Sequence, residues 1–182
     1  MEIIKTSLAG VMIVRPQVFR DDRGFLLETH HKSRYRDMVT PAPFVQDNMS
    51  FSQYGTIRGL HYQIVQPQAK LIQVIKGKIL DIAVDIRKGS PNFGKYIGIY
   101  LSDKTPEQIF IPEGFAHGFC VLSEDAYVIY KCTDFYCPDG ERGVLWSDPD
   151  LNIDWPVTAP TLSPKDANYP LLKDLPDKDL PS

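Results

Sequence analysis

The sequence predicts a mainly β fold of the sandwich or barrel type. About ten extended segments succeed one another along the chain, and turn signals separate them roughly every eight to twelve residues. Apolar residues alternate with a period of two, most clearly from Leu80 to Ile86, where even-numbered positions share one face. Asp81 and Asp85 lie on the opposite face of the same segment.

The N-terminal part is expected to form short strands around turns. Val11–Val14 is rich in β-formers, Asp21–Gly24 has turn chemistry, and Phe25–Thr29 resumes an extended segment. His31–Met38 is expected to form a short helix that ends before Thr40-Pro41. The remaining expected strands are Phe44–Phe51, Arg58–Gln63, the segments on either side of Gly77, Tyr96–Leu101, Gln108–Ile111, Gly118–Leu122 and Ala126–Asp134.

The C-terminal region differs from the rest. Ser163-Pro164-Lys165-Asp166 predicts a short helix, with serine at the N-cap, proline at the first position and aspartate at the third. We expect one domain over residues 1–182, with a peripheral tail from about residue 173 and a loose end from Asp177 to Ser182.

Composition and charge limit the class of protein. The chain has 182 residues, 43% hydrophobic and 24% charged, which is ordinary for a globular domain with its own core. A net charge of −3 and a pI near 5.8 argue against a non-specific nucleic-acid binder. A few cations in one pocket can still bind a small anionic ligand.

The cysteines and apolar segments indicate a cytoplasmic location. Three cysteines lack the spacing of metal or redox motifs, which indicates a reducing compartment. Leu8–Val14 ends in Arg15-Pro16 without a small-residue cleavage site, so we expect a strand there and not a signal peptide. Asp81 and Asp85 interrupt the most apolar stretch, so no membrane span is expected.

Two segments carry the chemistry and resemble the cupin superfamily of jelly rolls. One is the extended segment around His61, and the other is the proline-turn-histidine element Pro112–His117. The superfamily's metal pattern needs a second histidine where Gln63 stands, and an acidic ligand where Lys70 stands. His61 and His117 alone are too few for a catalytic zinc or iron site, so no metal is expected.

The resemblance narrows to one family. Six strings occur in order: Arg23-Gly24-Phe25, Gln46-Asp47-Asn48, Arg58–Gln63, Pro112–Phe119, Tyr130–Thr133 and Leu162–Asp166. Together they resemble the dTDP-4-dehydrorhamnose 3,5-epimerases, over about residues 3 to 172. The resemblance implies a cupin-type jelly roll, a nucleotide-sugar substrate with a C4 ketone, no cofactor, and epimerisation at C3 and C5 in dTDP-L-rhamnose biosynthesis.

The resemblance implies an acid–base pair. His61 is the base, and Asp166 accepts a hydrogen bond from its other ring nitrogen. Tyr130, which shares a strand face with Val128 and Cys132, is the proton donor. Taken alone, His61 is also consistent with a structural histidine, Asp166 with a helix-start residue, and Tyr130 with core packing.

Further residues are implied as substrate contacts. Lys70 is implied to stabilise the enolate. Taken alone, a lysine on a strand is also consistent with a charge exposed to solvent. Tyr136 shapes the pocket beside the sugar, while Arg23 and Arg58 bind the diphosphate. The remaining implied contacts are Glu28, Gln46, Asn48, His117, Glu141 and Lys165.

Two positions do not fit an ideal strand within one subunit. Arg58 and His61 have opposite parity, so a bulge at Gly59 is needed to turn both towards one site. Arg23 lies in an N-terminal edge segment, which in such a family contributes to the partner subunit. A homodimer is expected, and the sequence leaves open whether Arg23 reaches across its interface.

Two other functions fit the same barrel. One is a metal-dependent cupin enzyme, and the other is a carbohydrate or nucleotide-sugar binding module without catalysis. The sequence leaves open whether both carbons are inverted and which residue recognises the base of the nucleotide.

Overall fold

Thirteen strands and one short α-helix follow one another in the computed structural model, which describes residues 1–181. The strands are β1 (Glu2–Lys5), β2 (Met12–Arg15), β3 (Val18–Asp21), β4 (Gly24–Leu27), β5 (Gln46–Gln53), β6 (Ile57–Gln63), β7 (Lys70–Lys76), β8 (Lys78–Asp85), β9 (Tyr96–Ser102), β10 (Gln108–Ile111), β11 (Phe115–Val121), β12 (Asp125–Cys132) and β13 (Glu141–Gly143). The helix α1 spans Lys32–Met38. The sequence missed the short strands β1, β3 and β13, and Leu8–Val14 contributes only its end to β2.

Two antiparallel sheets form the body of the jelly roll. The six-stranded sheet has the order β1-β2-β10-β7-β12-β5, and the five-stranded sheet has the order β13-β6-β11-β8-β9. Strands β3 and β4 form a separate hairpin. The prediction of a mainly β jelly roll is confirmed.

Strand β8 shows why the period of two is so clear. Leu80, Ile82 and Val84 are buried against the C-terminal segment, which covers the outer face of the five-stranded sheet. Ile79 and Ala83 point to the other side, into the core between the two sheets. Because both faces are covered, only residues that suit a buried strand fit here.

The expected short helix is confirmed as α1, and a buried hydrogen bond fixes its position. The side chain of His31 accepts a hydrogen bond from the backbone N–H of Arg34 at the helix start. Tyr35 is buried, and its hydroxyl donates to Oε1 of Gln108 at 2.7 Å. The helix is thereby tied to β10, an inner strand of the six-stranded sheet.

The expected C-terminal helix is a single 3-10 turn at Asp166–Asn168. Ser163 does act as a cap, because its Oγ accepts a hydrogen bond from the backbone N–H of Asp166 at 3.1 Å. Further 3-10 turns follow at Leu172–Asp174 and Asp177–Asp179. The capping signal was therefore right about the start, whereas Tyr169, with a ψ of 151°, ends the helix after one turn.

The prediction of a loose C-terminal end is wrong for Asp177 to Pro181. The hydroxyl of Tyr62 donates to the carbonyl of Asp179 at 2.8 Å, and Nε of Arg142 donates to its carboxylate at 3.0 Å. The backbone N–H of Lys88 donates to the carbonyl of Pro181 at 2.7 Å. Ser182 lies outside the described residues.

A bulge in β6 allows Arg58 and His61, which have opposite parity, to face the same side of the sheet. His61 pairs with His117 of β11, while Arg58 pairs with Phe119, so β6 has one more residue than β11 between the two pairs. Gly59 has a φ of +126° within this irregularity. Arg58 and His61 consequently border the same cavity.

Replacing Gly59 by alanine should strongly destabilise the fold. An added Cβ would lie 2.5 Å from Cα of Gly118 and 2.7 Å from the carbonyl oxygen of His117. We expect a loss of at least about 3 kcal/mol in the free energy of unfolding, measured by urea denaturation. Gly89→Ala is the control: its φ is +81° but no atom lies within 4 Å, so it should cost only about 1 kcal/mol. Equal losses would show that the close contact is not limiting.

Candidate active site

Two adjoining cavities of about 240 and 230 Å³ open between the sheets. Both are bordered by His61, Lys70, Tyr130 and Glu141. The first cavity also contacts Gln46, Asn48, Tyr62, Gln63, Gln68 and Tyr136, and the second also contacts Ser50, Arg58, His117, Phe119, Ser163, Lys165 and Asp166. The structure thus brings eleven of the thirteen predicted site residues to one place.

His61 and Asp166 form a close pair. Nε2 of His61 lies 2.6 Å from Oδ1 of Asp166, which is only 4% exposed. Burial alone would raise the pKa of Asp166, but the hydrogen bond from His61 and the charge on that residue outweigh it and lower the pKa. The ionised carboxylate accepts a hydrogen bond from the N–H at Nε2 of His61. In a neutral His61 ring the free lone pair is therefore on Nδ1.

Tyr130 comes from the opposite sheet. It lies on β12 and borders both cavities, whereas His61 lies on β6 of the five-stranded sheet. Burial, reinforced by the nearby thiol of Cys132, raises the pKa of Tyr130, so its hydroxyl stays protonated at neutral pH. A proton donor and a proton acceptor therefore border the cavities from opposite sides.

Lys70 begins β7, two strands from the edge of the same sheet as Tyr130. Burial lowers the pKa of Lys70, opposed by the charges of Cys132, Asp81 and Glu141. A buried ammonium interacts more strongly with a developing negative charge than an exposed one does. This placement fits a group that stabilises an oxyanion.

His117 pairs with a carboxylate of its own. Nε2 of His117 lies 3.0 Å from Oδ2 of Asp81, and both side chains are buried. His117 is opposite His61 in the strand register and borders the second cavity. The pair fixes the orientation of the His117 ring at the base of the site.

Arg58 and the polar residues Gln46 and Asn48 form hydrogen bonds within the chain. Nε of Arg58 donates to Oγ of Ser52 at 2.9 Å. The amide of Gln46 donates to Oδ1 of Asn48 at 3.0 Å. The backbone N–H of Tyr136 in turn donates to Oε1 of Gln46 at 2.8 Å.

Glu141 is the centre of a second rim network. The hydroxyl of Tyr136 donates to Oε2 of Glu141 at 2.6 Å, and Lys165 forms an ion pair with the same oxygen. Burial alone would raise the pKa of Glu141, but the bonds from Lys165 and Tyr136 lower it. The three predicted contacts form one cluster at the mouth of the cavities.

Arg23 and Glu28 are the two predicted residues that the single chain does not bring to the cavities. The Arg23 side chain is 90% exposed and pairs with Asp21 in the hairpin. Glu28 pairs with Arg34. Both lie in or beside the hairpin β3–β4, the segment that the sequence analysis assigned to a partner subunit.

Sequence reasoning missed Ser50 and Tyr169. Ser50 shares the inward parity of Gln46 and Asn48 on β5, and this alternation was a usable signal. The ring of Tyr169 lies 5.7 Å from the ring of His61, centroid to centroid. No motif or period marks Tyr169, because it follows the Ser163–Asp166 signal in an irregular segment.

Within residues 1–181, no group of three or more His, Cys, Asp or Glu side chains is arranged to hold a metal ion. No helix in this range is long and apolar enough to cross a membrane.

The fold is a cupin-like jelly roll, and its candidate active site lies between the two sheets. Comparison with known proteins gives the family. A profile of the dTDP-4-dehydrorhamnose 3,5-epimerases matches residues 5–174. The chain belongs to this family, and the resemblance drawn from the six strings is confirmed.

Individual relatives agree. An epimerase of this description from Shigella flexneri is 50% identical over 171 residues, covering 92% of this chain and 94% of the relative. One from Neisseria gonorrhoeae is 51% identical over 167 residues, covering 91% of this chain but 51% of that protein, so the chain spans about half of that relative. The crystal structure of dTDP-6-deoxy-D-glucose-3,5-epimerase from Legionella pneumophila Philadelphia 1, in complex with dTDP-4-keto-L-rhamnose, is 47% identical. It superposes with a TM-score of 0.96 over 99% of this chain and 97% of that one.

The Asp166 pair should make stability depend on pH. The folded-state pKa of Asp166 is lowered, below an unfolded value of about 4. Its ionised form therefore contributes stability above the unfolded pKa, and this is lost as pH falls through the folded pKa. The difference in unfolding free energy between wild type and Asp166→Asn should narrow as the pH falls from about 5 through the unfolded value towards the lowered folded pKa.

Urea denaturation at several pH values measures this difference. The exposed Asp154→Asn is the control, and its difference from wild type should stay nearly constant. A difference for Asp166→Asn that is independent of pH would show that ionisation of Asp166 does not stabilise the fold.

Proposed function

We propose that the chain converts dTDP-4-dehydro-6-deoxy-D-glucose into dTDP-4-dehydro-L-rhamnose by epimerisation at C3 and C5, without a cofactor, in dTDP-L-rhamnose biosynthesis. The observation that carries the proposal is that His61 and Tyr130 border one cavity from facing sheets. Membership of the epimerase family and the ligand of the Legionella relative support the choice of substrate.

The chemistry follows from the ketone at C4. The ketone acidifies the hydrogens on C3 and C5, so a base that removes one of them leaves an enolate with its charge on O4. Return of a proton to the opposite face of the carbon inverts it. Substrate and product have the same oxidation state, so the step needs an acid and a base but no electron acceptor.

His61 acts as the base through Nδ1, since Nε2 is engaged with Asp166. Asp166 fixes this tautomer and stabilises the imidazolium that forms. Tyr130 then donates its hydroxyl proton from the other sheet. Its raised pKa keeps the proton in place until the enolate has formed.

Lys70 stabilises the enolate. Lys70 borders both cavities and is opposite Cys132 in the strand register. Charge at O4 develops only in the transition state, so Lys70 favours that state over the ground state.

The remaining pocket residues bind the nucleotide sugar. Arg58 and Lys165 supply positive charge for the diphosphate. Tyr136 supplies an aromatic face beside the sugar. Gln46, Asn48, His117 and Glu141 provide hydrogen-bonding groups around the same cavities. These residues are ordered by their own contacts, which limits the entropy lost on binding.

A homodimer completes the site. The hairpin β3–β4 exposes Phe25 and Leu26, at 58% and 72%, and the outer face of β5 exposes Met49 at 69%. A second copy that covers these apolar residues would also bring Arg23 and Glu28 to a neighbouring pocket. The free thiols and the nucleotide-sugar substrate favour a cytoplasmic enzyme.

Incubation with the substrate in D₂O, followed by NMR, tests the reaction. Wild type should exchange and invert C3 and C5, while His61→Ala should lose about 10²–10⁴ of the rate of both. Tyr130→Phe should lose inverted product much more than deuterium exchange, because His61 alone can remove and return a proton on one face. Added chelator should leave all rates unchanged.

Four results would contradict the proposal in whole or in part. Absence of exchange in wild type would favour a binding module, and loss of activity in chelator would favour a metal-dependent cupin. Parallel losses of exchange and inversion in Tyr130→Phe would make Tyr130 a positioning residue. Labelling at one carbon only would limit the reaction to that carbon.

Mixing two defective variants tests the shared site. Arg23→Ala should raise KM because it removes diphosphate binding, and His61→Ala should be inactive. If Arg23 acts across the interface, heterodimers of the two variants contain a site with both residues intact, so KM should return to the wild-type value. A mixture that keeps the KM of Arg23→Ala, at a dimeric mass in sedimentation, would place Arg23 outside the partner's site.

A further inference from the structure

One short segment supplies two partners for His61. Asp166 binds Nε2 of the imidazole, and Tyr169, three residues later, places its ring beside it. The centroids of the two rings are 5.7 Å apart and the rings are inclined by 66°, an edge-to-face arrangement. Such aromatic contacts have a preferred geometry and so restrict ring orientation.

A glycine makes room for this ring. Gly143 of β13 is opposite His61 in the strand register. A Cβ added to Gly143 would lie 2.5 Å from two ring carbons of Tyr169. Any other residue at this position would push the ring away, so the Tyr169 ring fills a slot formed by the absent side chain.

The hydroxyl of Tyr169 has no evident task. It is buried, and within residues 1–181 it has no hydrogen-bond partner. Tyr169 borders neither cavity, so its hydroxyl is not placed to give a proton to a substrate there. The useful part of the side chain is therefore the ring.

We propose that Tyr169 is a positioning residue for His61 in the reaction proposed above. A single hydrogen bond to Asp166 fixes Nε2 but allows the imidazole to rock about it. The Tyr169 ring closes the space into which the imidazole would rotate, and so keeps Nδ1 directed at the substrate carbon. Small displacements of a catalytic group reduce the rate far more than they reduce binding.

Three substitutions separate the ring from its hydroxyl and its volume. Tyr169→Phe should keep kcat within about twofold of wild type, because it removes only an unpaired hydroxyl. Tyr169→Leu, which fills the slot without a ring, and Tyr169→Ala should lower kcat about tenfold. Calorimetry should show dTDP affinity within about twofold of wild type for all three, because the diphosphate contacts are untouched.

An NMR readout does not depend on activity. The Tyr169 ring should shift the carbon-bound protons of the His61 ring, identified by their absence in His61→Ala. The shift should persist in Tyr169→Phe and vanish in Tyr169→Leu. If wild type exchanges no deuterium, the proposed reaction fails while this readout still tests the contact.

Several outcomes would overturn the proposal. Wild-type kcat in Tyr169→Leu would show that the ring does not position His61. Equal loss of kcat in Tyr169→Phe and Tyr169→Leu would assign the effect to the hydroxyl. Parallel loss of dTDP affinity would indicate a general distortion of the pocket.

Discussion

The hydrogen bond between His61 and Asp166 is the interaction on which the site depends. It joins residues 105 positions apart, one from strand β6 and one from the C-terminal segment. The bulge at Gly59 turns His61 towards the cavity, and the 3-10 turn capped by Ser163 presents Asp166. Contacts of Tyr62 and Arg142 with Asp179 hold the same C-terminal segment against the sheet. The bulge in β6 and the 3-10 turn at Asp166 thus place the two partners of this short hydrogen bond.

The sandwich architecture divides the chemistry between two walls. The five-stranded sheet carries His61 and His117, each with a carboxylate partner. The six-stranded sheet carries Tyr130 and Lys70, whose pKa values burial shifts in opposite directions, up for the phenol and down for the ammonium. A flat ligand held between the sheets would have a different set of groups on each side. Antiparallel strands supply this arrangement because alternate side chains of both sheets point inward.

Prediction from sequence succeeded where a residue's role follows from its own position. The alternation in β8 reported a strand covered on both faces, and the six strings placed most of the pocket. It failed where contacts between residues far apart in the sequence decide the local structure. Ser163 signalled a helix start, but docking of Leu172 and Leu175 in the core draws the chain away after one turn. The sequence did not indicate Tyr169, because the place of its ring depends on the missing side chain of Gly143, which is far from it along the chain. Arg23 and Glu28 remain predictions, since the single chain does not bring them to the cavities.

The late position of Asp166 in the chain has a consequence for biosynthesis. All strands of both sheets have been synthesised once β13 has emerged from the ribosome, at Gly143. The partner of His61 is added more than twenty residues later, and the turns that brace it come later still. Until then a nascent chain holds His61 without its carboxylate partner and leaves Leu80, Ile82 and Val84 uncovered on the outer face of the five-stranded sheet. The same late segment therefore supplies both the partner of His61 and the cover of that sheet.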